Sequence, residues 1–301
     1  MHRRMFLSLA AGAIATPALG AAPKKHGRIE TLSGLGKGSE AKPRVRVWLP
    51  PHYDDNNLLH RTLYMLDGQF CFANDSDGAN FGVDHRVERL MRTGTVQPTV
   101  IVAIDNLEGN RFLQYMPQTI YERANAEVRE TVEREMARVG SSSLVSAEFI
   151  DFLVTQLKPF IDAHYRTSED RLHTAIFGAS MAGVMAGAIF VEGQQAFGRG
   201  ACMSPNWAIY DERMIDHPGL TSLWADYFRQ IGAPQGRRLW LDHGTEMMDA
   251  GMTPHQSAIA ESLEGLGWRR GDNLQTRVYK AGHAFAQTAK QMDDVLAWLL
   301  A

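Results

Sequence analysis

Residues 172–191 read LHTAIFGASMAGVMAGAIFV, and the fold is decided there. An apolar run, Thr174–Phe177, meets Gly178-Ala179-Ser180-Met181-Ala182-Gly183, and small and apolar residues follow that read as a buried helix. Strand, tight turn with a serine at its apex, helix: that is the layout of a nucleophile elbow, whose usual form is G-x-S-x-G. The closing position here is Ala182, with Gly183 one step later. Small neighbours are required because the turn is strained and brings strand and helix close together. The helix start behind Ser180 also offers free backbone N–H groups to a developing negative charge. A lone G-x-S-x-A is equally a loop between two elements, so its meaning depends on the rest of the chain.

Working outward, apolar runs alternate with helical patterns on both sides of the elbow. Arg44–Leu49 alternates with period two and reads as a half-exposed edge strand ended by Pro50-Pro51. Leu63–Leu66 and Thr99–Ile104 are continuous apolar runs, as expected of strands covered on both faces. Gly200–Met203, Leu239–Leu241 and Thr276–Tyr279 are further strands. Between them lie helical stretches: Asp84–Arg92, the charged Glu122–Arg138, the amphipathic Ala147–Tyr165, one opening at Thr253-Pro254, and a closing helix from Ala286 to Leu300. Residues 110–145 are the least regular and read as a candidate small cap. This alternation predicts a mostly parallel sheet with helices on both faces, an α/β fold. Its working site belongs at the carboxyl ends of the strands. Asp67-Gly68, Ser180, Ser204, Gly244 and His283 all follow strand ends and are expected to converge.

A chain of 301 residues with 45% hydrophobic content suits one domain of ordinary size, here residues 23–301, with 23–42 a poorly patterned lead-in. A net charge of −3, acids and bases mixed, gives no nucleic-acid-binding surface. Residues 1–22 read as an export signal: a basic start at His2-Arg3-Arg4, a short apolar stretch from Met5 to Ala15, and small residues for cleavage around Ala18–Ala22. The stretch falls short of the about 20 apolar residues of a membrane span, so no stable membrane anchor is expected. Arg3-Arg4-Met5-Phe6-Leu7 matches the twin-arginine pattern. A twin-arginine or an ordinary secretory signal alike places the mature protein outside the cytoplasm, in a bacterial periplasm or beyond. The two cysteines, Cys71 and Cys202, are no disulfide framework, and their pairing stays open. Neither C-x-x-C nor H-E-x-x-H occurs, so no metal site or cofactor is predicted.

A serine hydroxyl is a weak nucleophile and needs an adjacent base. His283, just after the last strand and before the last helix, is in the right topological place. His217, His243 and His255 read as surface or packing residues. The acid belongs after the Leu239–Leu241 strand, where Asp242, Glu246 and Asp249 are candidates. Asp242 sits at the strand end, too early to turn toward His283. Asp249 is preferred, with Glu246 the alternative. The oxyanion hole is assigned to the backbone N–H groups of Met181 and Gln69, Gly68 letting the backbone approach the substrate.

Together these blocks resemble a family. LYMLDGQF (63–70), RFLQYMP (111–117), EFIDFLVTQLKPFIDAHYRT (148–167), FGASMAG (177–183), SPNW (204–207), GTEMMD (244–249) and Gly282-His283 are similar in order and spacing to the putative esterase family. This is the esterase D-like branch of the α/β-hydrolases, with feruloyl esterases, siderophore trilactone esterases and the antigen 85 acyltransferases. The resemblance runs from about Arg44 onward. It implies an eight-stranded α/β-hydrolase fold and a Ser-His-acid triad acting through an acyl-enzyme on a small-molecule ester. Arg111, Tyr115, Asn206 and Trp207 are candidates to line the substrate pocket, each equally readable as a packing residue. The chain departs from the family pattern at Ala182, at Ala284-Phe285 after the histidine, where a polar pair is usual, and at Met247-Met248 in the acid loop. Two other readings remain: acyl transfer of the antigen 85 type, and a non-catalytic binding module on a hydrolase scaffold.

Overall fold

The computed structural model describes residues 27–32, 43–73 and 79–301. Among the described residues eight strands form one sheet: β1 (Arg28–Leu32), β2 (Val45–Leu49), β3 (Arg61–Leu66), β4 (Thr99–Ile104), β5 (Thr174–Ala179), β6 (Arg199–Met203), β7 (Arg238–Gly244) and β8 (Leu274–Tyr279). Their spatial order is β1-β2-β4-β3-β5-β6-β7-β8. β1 and β2 run antiparallel to their neighbours, and every pairing from β4 to β8 is parallel. This is the α/β-hydrolase fold. The chain order reverses about β3, which lies between β4 and β5, and such a switch opens a crevice beyond the carboxyl ends of the strands.

The helices are α1 (Val83–Arg92), α2 (Arg111–Tyr115), α3 (Gln118–Arg123), α4 (Ala126–Arg138), α5 (Ser146–Asp151), α6 (Lys158–His164), α7 (Met181–Glu192), α8 (Pro218–Arg229), α9 (Thr253–Glu264) and α10 (Phe285–Leu300). Strand residues alternate between two apolar layers. Tyr64, Leu66, Val100, Val102 and Ile176 face α7 and its neighbours. Leu63, Met65, Ile101, Ala103 and Phe177 face α1 and α10. Burial on both faces explains why β3 and β4 read as unbroken apolar runs. α7 has no polar face, and Met181–Val191 are all buried, as for any helix that is apolar all round.

Three local expectations are revised. β2 is not an edge strand: all five residues are buried and β1, drawn from the supposed lead-in, covers it. Arg46 made the pattern look half polar, yet its side chain is buried and reaches Asp105 Oδ1 at 2.9 Å. The charged stretch 122–138 is broken at Asn125, whose side chain caps α4 by accepting from the Val128 N–H. The amphipathic stretch 147–165 is α5 and α6 joined by a π-helical segment, Phe152–Leu157. Pro159 lacks the N–H that would bond the Thr155 carbonyl, and the ladder loosens in the turn before it. Residues 1–22, read as an export signal, lie outside the described residues. Among the described residues no helix is long and apolar enough to cross a membrane. Cys71 and Cys202 are free and buried.

Candidate active site

Ser180 closes the link between β5 and α7 at φ 60° and ψ −129°. This region is costly for any residue with a side chain, and it recurs where function demands it. The local sequence permits the turn: a Cβ on Gly178 would lie 2.1 Å from the Ala182 carbonyl oxygen, so strand and helix meet only because glycine stands there. The Ser180 N–H donates to the Met203 carbonyl, tying the turn to β6.

The Ser180 hydroxyl lies 2.8 Å from His283 Nε2, and His283 Nδ1 lies 2.5 Å from Asp249 Oδ1. With Nδ1–H donating to the carboxylate, Nε2 is left to accept from the serine. Asp249 Oδ2 accepts from the Ser204 hydroxyl and from the Gly244 N–H at 3.0 Å. Burial works against the Asp249 charge, but donation from His283, then Ser204 and Gly244, outweighs it and holds the carboxyl below its ordinary range. The structure therefore brings Ser180, His283 and Asp249 into one hydrogen-bonded line. Glu246 is exposed, and its backbone N–H donates to the Ala281 carbonyl at 2.9 Å. Asp242 is fully buried at the end of β7, where it accepts from the Ser204 N–H and Trp240 Nε1. Burial pushes its carboxyl up to about 7.

The β3 end supplies the opposite wall. Asp67 adopts φ 53° and holds Arg111 through Nε and Nη2. It also accepts from Asn106 Nδ2 at 2.7 Å. Burial opposes the Arg111 charge, and the Asp67 carboxylate more than offsets this, so the guanidinium keeps its proton more tightly than usual. Gln69 lies beside this pair, with its side-chain oxygen accepting from the Asn106 N–H. Met181 is the first residue of α7.

A cleft of about 150 Å³ opens onto Ser180 and His283, lined also by Asp67, Arg111, Ser204 and Thr288. Its apolar wall is aromatic: Phe81 stacks on Phe285 at 4.1 Å between centroids, and Phe70 meets Phe285 edge-on at 5.9 Å. Of the four residues expected to line the pocket, only Arg111 does. Tyr115 is buried behind the wall, its hydroxyl accepting from the Asp67 N–H at 3.1 Å. Asn206 is buried, and its N–H donates to the Ser180 carbonyl at 3.4 Å. Trp207 is a core residue against Trp224 and Phe228. These three sit near site residues in sequence, but their side chains turn into the core. The aromatic wall had one sequence signal, Phe285 in place of a polar residue after His283. Ser204 had another, its place at a strand end. Phe70 and Phe81 had none. Among the described residues no group of three or more His, Cys, Asp or Glu side chains is placed to hold a metal ion.

The family model described as "Putative esterase" matches residues 37–299. The chain belongs to that esterase family. Structural neighbours agree in fold. A ferulic acid esterase from the anaerobic fungus Anaeromyces mucronatus is 20% identical with a TM-score of 0.60, over 90% of each chain. An IroE-like serine hydrolase from Shewanella oneidensis is 17% identical with a TM-score of 0.62, over 91% of this chain and 80% of that one. The enterobactin esterase of Shigella flexneri is 16% identical with a TM-score of 0.64, over 92% of this chain and 59% of that one. A comparison with curated protein sequences finds no match. Family and fold together make this protein an esterase, a carboxylic ester hydrolase.

Proposed function

We propose that this esterase is an exported serine hydrolase working through an acyl-enzyme, with Ser180 as nucleophile, His283 as base and Asp249 as acid. The observation that carries it is the line from Ser180 Oγ through His283 to Asp249, with spacings of 2.8 and 2.5 Å. Ser180 attacks the ester carbonyl while its proton passes to His283 Nε2. The N–H groups of Met181 and Gln69 stabilise the oxyanion. The tetrahedral species collapses, the alkoxide leaves with the proton from His283, and Ser180 holds the acyl group. Water then gives a proton to His283 and attacks the acyl carbon. The acid departs, and Ser180 recovers its proton. Asp249 fixes the imidazole tautomer and stabilises the imidazolium without becoming protonated. Export rests on the composition of residues 1–22.

The wall of Phe70, Phe81 and Phe285 suits an aromatic or compact apolar acyl group, and ferulic acid esterases among the neighbours favour the aromatic one. The test is hydrolysis of p-nitrophenyl acetate to decanoate and of methyl cinnamate, by the mature protein and by Ser180→Ala. Turnover by the wild type alone supports the mechanism. Turnover surviving in Ser180→Ala removes it.

A further inference from the structure

We propose that Arg46 is a positioning residue for the oxyanion hole, acting through the Gly68–Gln69 peptide; this rests on the serine-esterase reading of the site. Arg46 lies on β2, a strand whose other described residues are all buried and apolar. Its guanidinium is buried and stands 5.3 Å from the centre of the Phe72 ring. Nη2 donates to the Gly68 carbonyl at 2.8 Å and to Asp105 Oδ1 at 2.9 Å. Asp105, at the end of β4, also accepts from Arg44 Nε at 2.8 Å.

A buried ion pair is a weak source of stability, because desolvation consumes most of the Coulombic gain. An apolar residue would serve the core of β2 as well. What a guanidinium adds is a fixed donor against one particular carbonyl. A trans peptide carries its C=O and N–H on opposite sides. With the Gly68 carbonyl turned inward to Arg46, and also accepting from the Cys71 N–H at 2.8 Å, the Gln69 N–H is turned outward. Among the described residues no backbone carbonyl accepts that N–H. The other sides of the loop are equally constrained. A Cβ on Gly68 would lie 2.5 Å from the Ile104 nitrogen, so the peptide is pressed onto β4. Asp67, one residue earlier, is held by Arg111, Asn106 and Tyr115. Arg46 thus locks the Gly68–Gln69 peptide, whose flip would replace a donor by a carbonyl oxygen facing the oxyanion.

The test compares wild type, Arg46→Met, Arg46→Lys and Asp105→Asn on p-nitrophenyl acetate, with Ser180→Ala as the control for the reading on which this rests. Each variant is also titrated with benzeneboronic acid, which forms a tetrahedral adduct on an active serine. For Arg46→Met, kcat is expected to fall 10- to 100-fold with KM within twofold, and boronate affinity to fall by the same factor. Arg46→Lys, which keeps a donor, recovers most of both. Should Arg46→Met fail to fold, Asp105→Asn is read in its place, with the same pattern at a smaller factor. A folded Arg46→Met with unchanged kcat, or one whose loss lies in KM alone, overturns the proposal. Activity persisting in Ser180→Ala instead overturns the mechanism beneath it.

Discussion

Asp249, the proposed triad acid, illustrates how single residues divide their contacts at this site. Asp249 Oδ1 faces His283, while Oδ2 takes the Ser204 hydroxyl and the Gly244 N–H. An amide cannot accept in both directions, so Asp249→Asn must lose one partner or present the wrong tautomer to His283. Its kcat on p-nitrophenyl acetate is expected to drop by about 10²- to 10⁴-fold, whereas the exposed Glu246→Gln stays within twofold of wild type. Comparable losses in both variants would remove the distinction. Trp207 makes the opposite case. It is fully buried against Trp224 and Phe228, and its carbonyl accepts from Trp224 Nε1 at 2.9 Å. Trp207→Ala is expected to cost about 3–5 kcal/mol of stability by denaturant unfolding, with KM of the surviving folded enzyme unchanged. A raised KM at full stability would return Trp207 to the substrate pocket.

At the scale of elements, the turn between β5 and α7 carries the requirement for small residues, but unevenly. Gly178 has no room for a methyl group, since the Ala182 carbonyl would be 2.1 Å from it. Ala182 is buried in the first turn of α7 and fills its space. Gly178→Ala should therefore abolish esterase activity and lower the melting temperature. Ala182→Gly, which restores the usual family pattern, should keep activity within a few-fold and lose about 1 kcal/mol through helix propensity. A tolerant Gly178 would mean that the turn can relax away from its strained geometry. The departure at Ala182 is thus a local substitution of one small residue for another.

For the molecule as a whole, two buried titrating groups act on stability with opposite signs. His255 is fully buried, with Nδ1 near Thr221 Oγ1 at 2.9 Å and Nε2 donating to the Met214 carbonyl at 2.8 Å, which ties α9 to α8 and to the turn before it. Burial depresses its pKa to about 4 from 6.5. The unfolded chain then binds the proton more readily, so this contribution is complete above pH 6.5 and is lost as pH falls toward 4, by about 3 kcal/mol in all. Asp242, raised to about 7, works the other way: its contribution is complete below its unfolded value near 3.8 and is lost as pH rises through 7. The two slopes oppose each other between about pH 4 and 6.5. In His255→Gln the first is removed. Its melting temperature is expected to fall less than the wild type's, or to rise, between pH 7 and pH 5. Parallel pH curves for the two proteins would show that His255 is not the group responsible.

The sequence alone determined what depends on local periodicity and chain order. Two-faced burial makes β3, β4 and β5 continuous apolar runs, and the elbow needs small residues within a few positions of Ser180, so both are written in consecutive letters. The placing of His283 beside Ser180 followed from the same logic, because a parallel sheet delivers every strand end to one side. Other features depended on contacts between distant segments. Arg46 read as the polar half of an edge strand because its partner Asp105 lies 59 positions away, just after β4. The edge itself belonged to β1, five residues whose only strong signal is their pairing with β2. Asp249 and Glu246 lie in one loop, and only the packing of that loop against Gly244, Ser204 and His283 separates the buried carboxylate from the exposed one. Tyr115, Asn206 and Trp207 differ from Phe70, Phe81 and Phe285 by which way each side chain turns at the crevice. That direction is set by the three-dimensional packing of helices on the sheet, and no run of neighbouring residues encodes it.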